Sequence, residues 1–101
     1  MKPDRFGISD PHWALITRLL VDPIKSAGGS VSIFGSRARG DFRQFSDLDV
    51  LVEGPVSPSS LSSVSESLEE STLPFRVDIV LEGDLADSYR PGVLRDKVRV
   101  A

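Results

Sequence analysis

Between Val31 and Val52 the chain alternates in a way that leaves its local structure little freedom. Val31-Ser32-Ile33-Phe34 is a short apolar run closed by Gly35-Ser36. Ten residues further on, Asp47-Leu48-Asp49-Val50 opens a second run that reaches Val52. Side chains one apart on a strand point to opposite faces and those two apart share a face. Asp47 and Asp49 therefore project together, and Leu48, Val50 and Val52 form the opposite face, which calls for helices to cover it. A third acid, Asp78, sits between Val77 and Ile79 in another apolar run. Any fold this chain adopts must bury one face of these strands and find a use for a row of carboxylates on the other.

The rest of the chain supplies the covering helices. Residues 1–9, with Pro3 and Gly7, read as a mobile lead-in. Ser9 or Asp10 is a suitable N-cap with Pro11 just inside the helix. Trp13, Ile16, Leu19 and Leu20 then recur at helical spacing. Pro23 predicts a kink or break, because proline lacks the amide proton a helix interior needs. Gly28-Gly29 closes the segment. The first strand is expected over 31–34, a short helix over 37–40, a loop over 41–46, and the second strand over 47–52, bounded by Gly54-Pro55. Residues 57–71 are rich in serine, but Leu61, Val64 and Leu68 carry a helical period and Ser57-Pro58 would start it. A third strand is expected over 75–81 and a short helix around 85–89. The tail from Pro91 to Ala101 fits either a short helix or an edge strand. This order predicts an α/β (α+β) domain, a small mixed sheet of three strands or slightly more with helices packed on it.

Composition narrows the class of chemistry. With 101 residues the chain is one small domain, 1–101. A formal net charge of −3 lacks the overall basic balance of a nucleic-acid binder, and no direct nucleic-acid binding is expected. Arg37, Arg39 and Arg43 nevertheless gather after the Gly-Ser turn, which suits a small anion better than a long one. There is no cysteine, hence no thiolate metal site or cysteine nucleophile, and a cytoplasmic location is expected. No apolar run is long enough for a membrane span. His12 reads as a surface residue, Trp13 as an anchor, Asp41 as a turn residue and Tyr89 as structural.

The acids and the turn suggest how such an anion is handled. Adjacent carboxylates repel and raise each other's pKa unless a cation lies between them. All-oxygen donors without His or Cys favour Mg²⁺ or Mn²⁺ over Zn²⁺. Mg²⁺ binds through one or two carboxylates and fills its shell with water and substrate phosphate. Asp78, if it faces the same way, would complete the set, hold a second ion and act as base toward an attacking hydroxyl. Gly35 lets the backbone approach a ligand closely, and Ser36 offers a hydroxyl and an amide to phosphate. Arg37 and Arg39 would neutralise a triphosphate or leaving pyrophosphate.

The run Phe34-Gly35-Ser36 … Asp47-Leu48-Asp49-Val50, with Asp78 following in a later strand, resembles the DNA polymerase beta-type nucleotidyltransferase superfamily. Gly35-Ser36-Arg37-Ala38-Arg39-Gly40 with Ser46-Asp47-Leu48-Asp49 is closer still to its minimal nucleotidyltransferase (MNT) members. The resemblance covers roughly 30–81 and implies a polymerase beta palm-like fold. It also implies that Gly35 and Ser36 hold the β- and γ-phosphates of ATP, with Asp47 and Asp49 binding two Mg²⁺ ions. Asp78 would ligate one ion and help activate the acceptor hydroxyl. Minimal members are similar to the antitoxin of HEPN/MNT toxin–antitoxin pairs, which implies AMP transfer to a tyrosine of a HEPN ribonuclease and a homo- or hetero-oligomeric state. Two alternatives stay open: an antitoxin of the same fold that acts by binding alone, and a transferase acting on small molecules such as aminoglycosides.

Overall fold

The computed structural model describes residues 6–101, so part of the expected lead-in lies outside the described residues. The rest of that lead-in is anchored rather than mobile: Ile8 is buried in the core.

The first helical run extends from Asp10 to Ser26 without the break expected at Pro23. It comprises α1 (Asp10–Ile16), a π-helical turn over Thr17–Val21, and α2 (Asp22–Ser26). The Asp22 amide donates to the Thr17 carbonyl, five residues back. This wider turn just ahead of Pro23 relieves the clash and the missing donor that proline brings to a regular helix. Ser9 occupies the N-cap position in extended conformation, but its hydroxyl pairs with His12 Nδ1 at 3.0 Å and caps no amide.

Four strands follow, one more than the core motif requires. They are β1 (Ser30–Phe34), β2 (Leu48–Glu53), β3 (Val77–Leu81) and β4 (Val98–Arg99), in the spatial order β3-β2-β1-β4. β1 runs antiparallel to β2 and β4, whereas β2 and β3 are parallel. A parallel pair needs a crossover, and α4 (Pro58–Glu69) provides it. Its serine-rich sequence forms a helix because Ser57 caps it, accepting from the Ser60 amide at 3.2 Å, while Val64 and Leu68 turn inward.

The connections differ in detail from expectation. The short helix α3 spans Gly35–Arg39 and ends at Gly40, left-handed at φ 91°. After β3 comes a 3₁₀ turn over Glu82–Asp84 rather than a helix around 85–89. The ambiguous tail is both of its alternatives in succession, α5 (Arg90–Asp96) and then β4.

Leu48, Val50 and Val52 of β2 join Val31 and Ile33 of β1 against Ile16, Leu20, Ile24, Val64 and Leu68 of the helices. The expected apolar face is therefore the one the helices cover, which leaves the acidic face of β2 turned away from the main core. Leu20 is 0% exposed and Leu94 of α5 44%. Leu20→Ala should cost about 2–5 kcal/mol in urea unfolding with an unchanged m-value, as cavity-forming core truncations do. Leu94→Ala should stay within about 0.5 kcal/mol of wild type.

Candidate active site

The acids lie across neighbouring strands. In the strand register Phe34 stands opposite Asp49 on one side of β2, and Asp78 stands opposite Asp49 on the other. Gly35 follows Phe34 directly, so the turn, Asp49 and Asp78 form a row across the end of three strands. Gly35 has φ 74°, in the left-handed region, and a Cβ built there would lie 2.2 Å from Asp49 Oδ2. Backbone conformation and space thus both require glycine. The turn is moulded around the Asp49 carboxylate.

Asp49 is half-buried and its pKa is raised. Burial is the main cause, followed by repulsion from Asp78 and then from Asp47, while Arg39 pulls the other way. The three acids and Arg39 therefore share one electrostatic field. Asp47 precedes β2 rather than opening it and is exposed. Asp78 Oδ1 is 3.7 Å from Arg76 Nε, an exposed pair that contributes little stability. Among the described residues no three His, Cys, Asp or Glu side chains come close enough to enclose an ion unaided. The donor set nevertheless suits a hard divalent cation, since it is all oxygen and its members repel one another.

Of the two arginines expected to face phosphate, only Arg39 is available to do so. Arg39 is exposed, with Nε 3.2 Å from Asp41 Oδ2 and Nη1 3.3 Å from Asp96 Oδ2. Both partners raise its pKa. Asp96, on α5, is held by Arg95 as well as Arg39, and these pairings lower its pKa. Sequence spacing gives no sign of this link, which spans 57 residues.

Arg37 departs from expectation. It is 2% exposed, and its guanidinium points into the protein. Nε donates to the Ser46 carbonyl at 3.0 Å, Nη1 to Phe6 at 2.9 Å and Gly7 at 3.5 Å, and Nη2 to Gln44 at 3.2 Å. Its carbon Cζ lies 4.5 Å from the Phe75 ring centroid and 5.1 Å from that of Phe42. Burial lowers its pKa, and the charge of Asp47 partly restores it. Arg37 is therefore a positioning residue: it fixes the loop whose last residue, Ser46, delivers Asp47 to the row. Nothing in the sequence warned of this, because Arg37 and Arg39 stand two residues apart with nothing local to say which turns inward.

At one end of the mixed sheet the structure thus places a glycine turn against one acid, with a second acid in register on a parallel strand. Residues 19–100 match the nucleotidyltransferase domain, and the chain belongs to that family. It is an enzyme of the class that moves nucleotidyl groups. Over 71 residues it is 37% identical to the protein adenylyltransferase MntA of Thermococcus cleftensis, covering 69% of this chain and 72% of the relative. It is 33% identical over 63 residues to a Haemophilus influenzae protein assigned the same name, covering 60% of this chain and 55% of that one. A solved structure assigned as a minimal nucleotidyltransferase superposes with a TM-score of 0.70 at 31% identity, covering 92% of this chain and 97% of that one.

Two substitutions test the geometry. Gly35→Ala should displace Asp49 and strain the turn at a cost of about 1–3 kcal/mol, read as a lower urea midpoint. Arg37→Lys keeps the charge but loses the planar fork, leaving buried carbonyls unpartnered. It should destabilise by about 2–4 kcal/mol, checked by thermal unfolding.

Proposed function

We propose that this chain transfers AMP from ATP to a hydroxyl on a partner protein, a tyrosine of a HEPN ribonuclease, and so acts as an antitoxin. The observation that carries the reading is the Asp49 carboxylate seated against Gly35 with Asp78 in register beside it. Two relatives bearing protein adenylyltransferase names support the acceptor class. Gly35 and Ser36 would hold the β- and γ-phosphates, and Arg39 would offset their charge.

Asp47, Asp49 and Asp78 would hold Mg²⁺, two ions or Mn²⁺ in their place. Bound there, the metal supplies charge neutralisation for the attacking and leaving oxygens. Asp78 accepts the proton of the acceptor hydroxyl, whose oxygen attacks the α-phosphorus in line. The bond to the β-phosphate oxygen breaks and pyrophosphate departs from the Gly35-Ser36 side.

Labelling decides the matter. With Mg²⁺, the partner should acquire label from α-³²P-ATP and none from γ-³²P-ATP, and Asp47→Asn or Asp49→Asn should reduce transfer at least 100-fold. Mg²⁺ with a non-hydrolysable ATP analogue should also raise the melting temperature of the wild type. A ligand at 100 times its Kd adds about 2.7 kcal/mol, and Asp49→Asn should lose most of that gain. Neutralisation of the partner by the Asn variants without any labelling would instead establish an antitoxin that acts by binding.

A further inference from the structure

A cavity of about 250 Å³ opens beside the Gly35 turn and ends at a tyrosine. Its walls include Phe34, Gly35 and Arg39 on one side and Tyr89, Gly92 and Arg95 on the other. Tyr89 is 69% exposed, the most exposed of the large hydrophobic side chains among the described residues. A lone exposed aromatic has no meaning by itself, but this one is presented by a rigid support. Its amide donates to the Ala86 carbonyl at 3.0 Å, and its own carbonyl accepts from the Val93 amide at 3.1 Å. The next residue, Arg90, clamps the approach to α5: it pairs with the Glu82 carboxylate and donates to the carbonyls of Glu82 at 3.2 Å and Leu85 at 3.3 Å. The ring thus stands in solvent on a backbone held by hydrogen bonds, which lowers the conformational freedom lost when a ligand covers it.

The wall beside Tyr89 leaves room for that ligand. Gly92 lies three residues along from Tyr89, and a Cβ there would meet only Arg95 Nη2, at 4.0 Å. Glycine in this helix therefore serves no packing need and keeps the floor of the cavity open. The other strongly exposed aromatic, Phe45, lines a separate cavity with Asp78 and Arg76. Asp78 and the Gly35 turn flank Asp49 on opposite sides, so the two aromatics serve opposite ends of the acid row. Tyr89 lies at the Gly35 end, the end assigned above to phosphate.

We propose that Tyr89 is the stacking platform for the nucleobase of the nucleotide whose phosphates sit at Gly35, a purine in preference to a pyrimidine because of its larger face. The proposal rests on the nucleotide reading given above. Aromatic stacking accepts any base, since every base has a π-face, and it strengthens binding without hydrogen-bond readout. Tyr89 therefore contributes to affinity and to purine over pyrimidine, and leaves adenine and guanine poorly separated.

The protein has one tyrosine, so its ring is a unique spectroscopic reporter. Protein carrying ¹³C-ring-labelled tyrosine, titrated with ATP and Mg²⁺, should show the Tyr89 ring signals shift. Tripolyphosphate, which reaches the turn but brings no base, should leave them nearly unmoved. By calorimetry Tyr89→Ala should weaken ATP about tenfold, leave tripolyphosphate unchanged and narrow the preference of ATP over UTP. Tyr89→Phe should stay within about twofold of wild type. Gly92→Leu, which fills the floor, should also weaken ATP while its melting temperature holds. An unchanged ATP affinity in Tyr89→Ala, with AMP transfer intact in wild type, would overturn the platform and spare the transferase. Failure of the wild type to bind ATP with Mg²⁺ would overturn both.

Discussion

The candidate site is built around a buried cation, Arg37, that has no buried acid beside it among the described residues. Arg37 leaves the helix that follows the glycine turn and runs inward between Phe42 and Phe75, where backbone carbonyls accept its protons. Burying a guanidinium costs several kcal/mol unless its protons are matched. Here the matching groups are carbonyls of segments far apart in the chain, near Phe6 and along 44–46. The cost of desolvation therefore becomes a constraint on geometry. Neither segment can move without stranding a charge, and one of them ends at Asp47. Arg37 is planar and forked, which lets one side chain hold several acceptors at once. The guanidinium also lies over the rings of Phe42 and Phe75, within cation–π distance of both.

The opposing element is the acid row itself. Asp49 and Asp78 occupy paired positions on parallel strands, and like charges directly opposed weaken a sheet. Burial adds to the same penalty at Asp49. The fold carries this strain because the apolar faces of β1 and β2 are sealed by α1, α2 and α4, while the acidic face adds only Leu51 to what the sheet buries from β2. Most of the apolar packing of β2 therefore lies on the face away from the acids. Arg39 moderates the strain from the side of the turn, and Asp96 with Asp41 in turn holds Arg39.

Much of this was legible beforehand. The alternation in 47–52 identified the covered face, and the same pattern put an acid row on the other. Ser57-Pro58 and the Leu61-Val64-Leu68 period correctly made a helix of a serine-rich stretch. Pro23 announced an interruption but not its form: the regular α-helix gives way to a π-turn that ends two residues earlier, at Val21, and the helical run continues past the proline. The tail resisted a single reading since Val93, Leu94, Val98 and Val100 belong to two successive elements. Arg37 and Arg39 looked equivalent in sequence, two residues apart on a helix of less than two turns. A separation of two residues turns side chains about 200° apart on a helix, so one faces in and the other out, and only packing decides which.

By itself the sequence determined the periodicities, the glycine turn, the order of elements as far as the third strand and the kinds of donor available, because these follow from the covalent chain and its local sterics. Tertiary structure alone decided that Asp78 pairs with Asp49, that a Cβ at residue 35 would strike Asp49, that Asp96 reaches Arg39, and that Tyr89 shares a cavity with Gly35. Each of these joins residues far apart in the chain. Their proximity comes from sheet order and from which face the helices bury, quantities that no local pattern encodes.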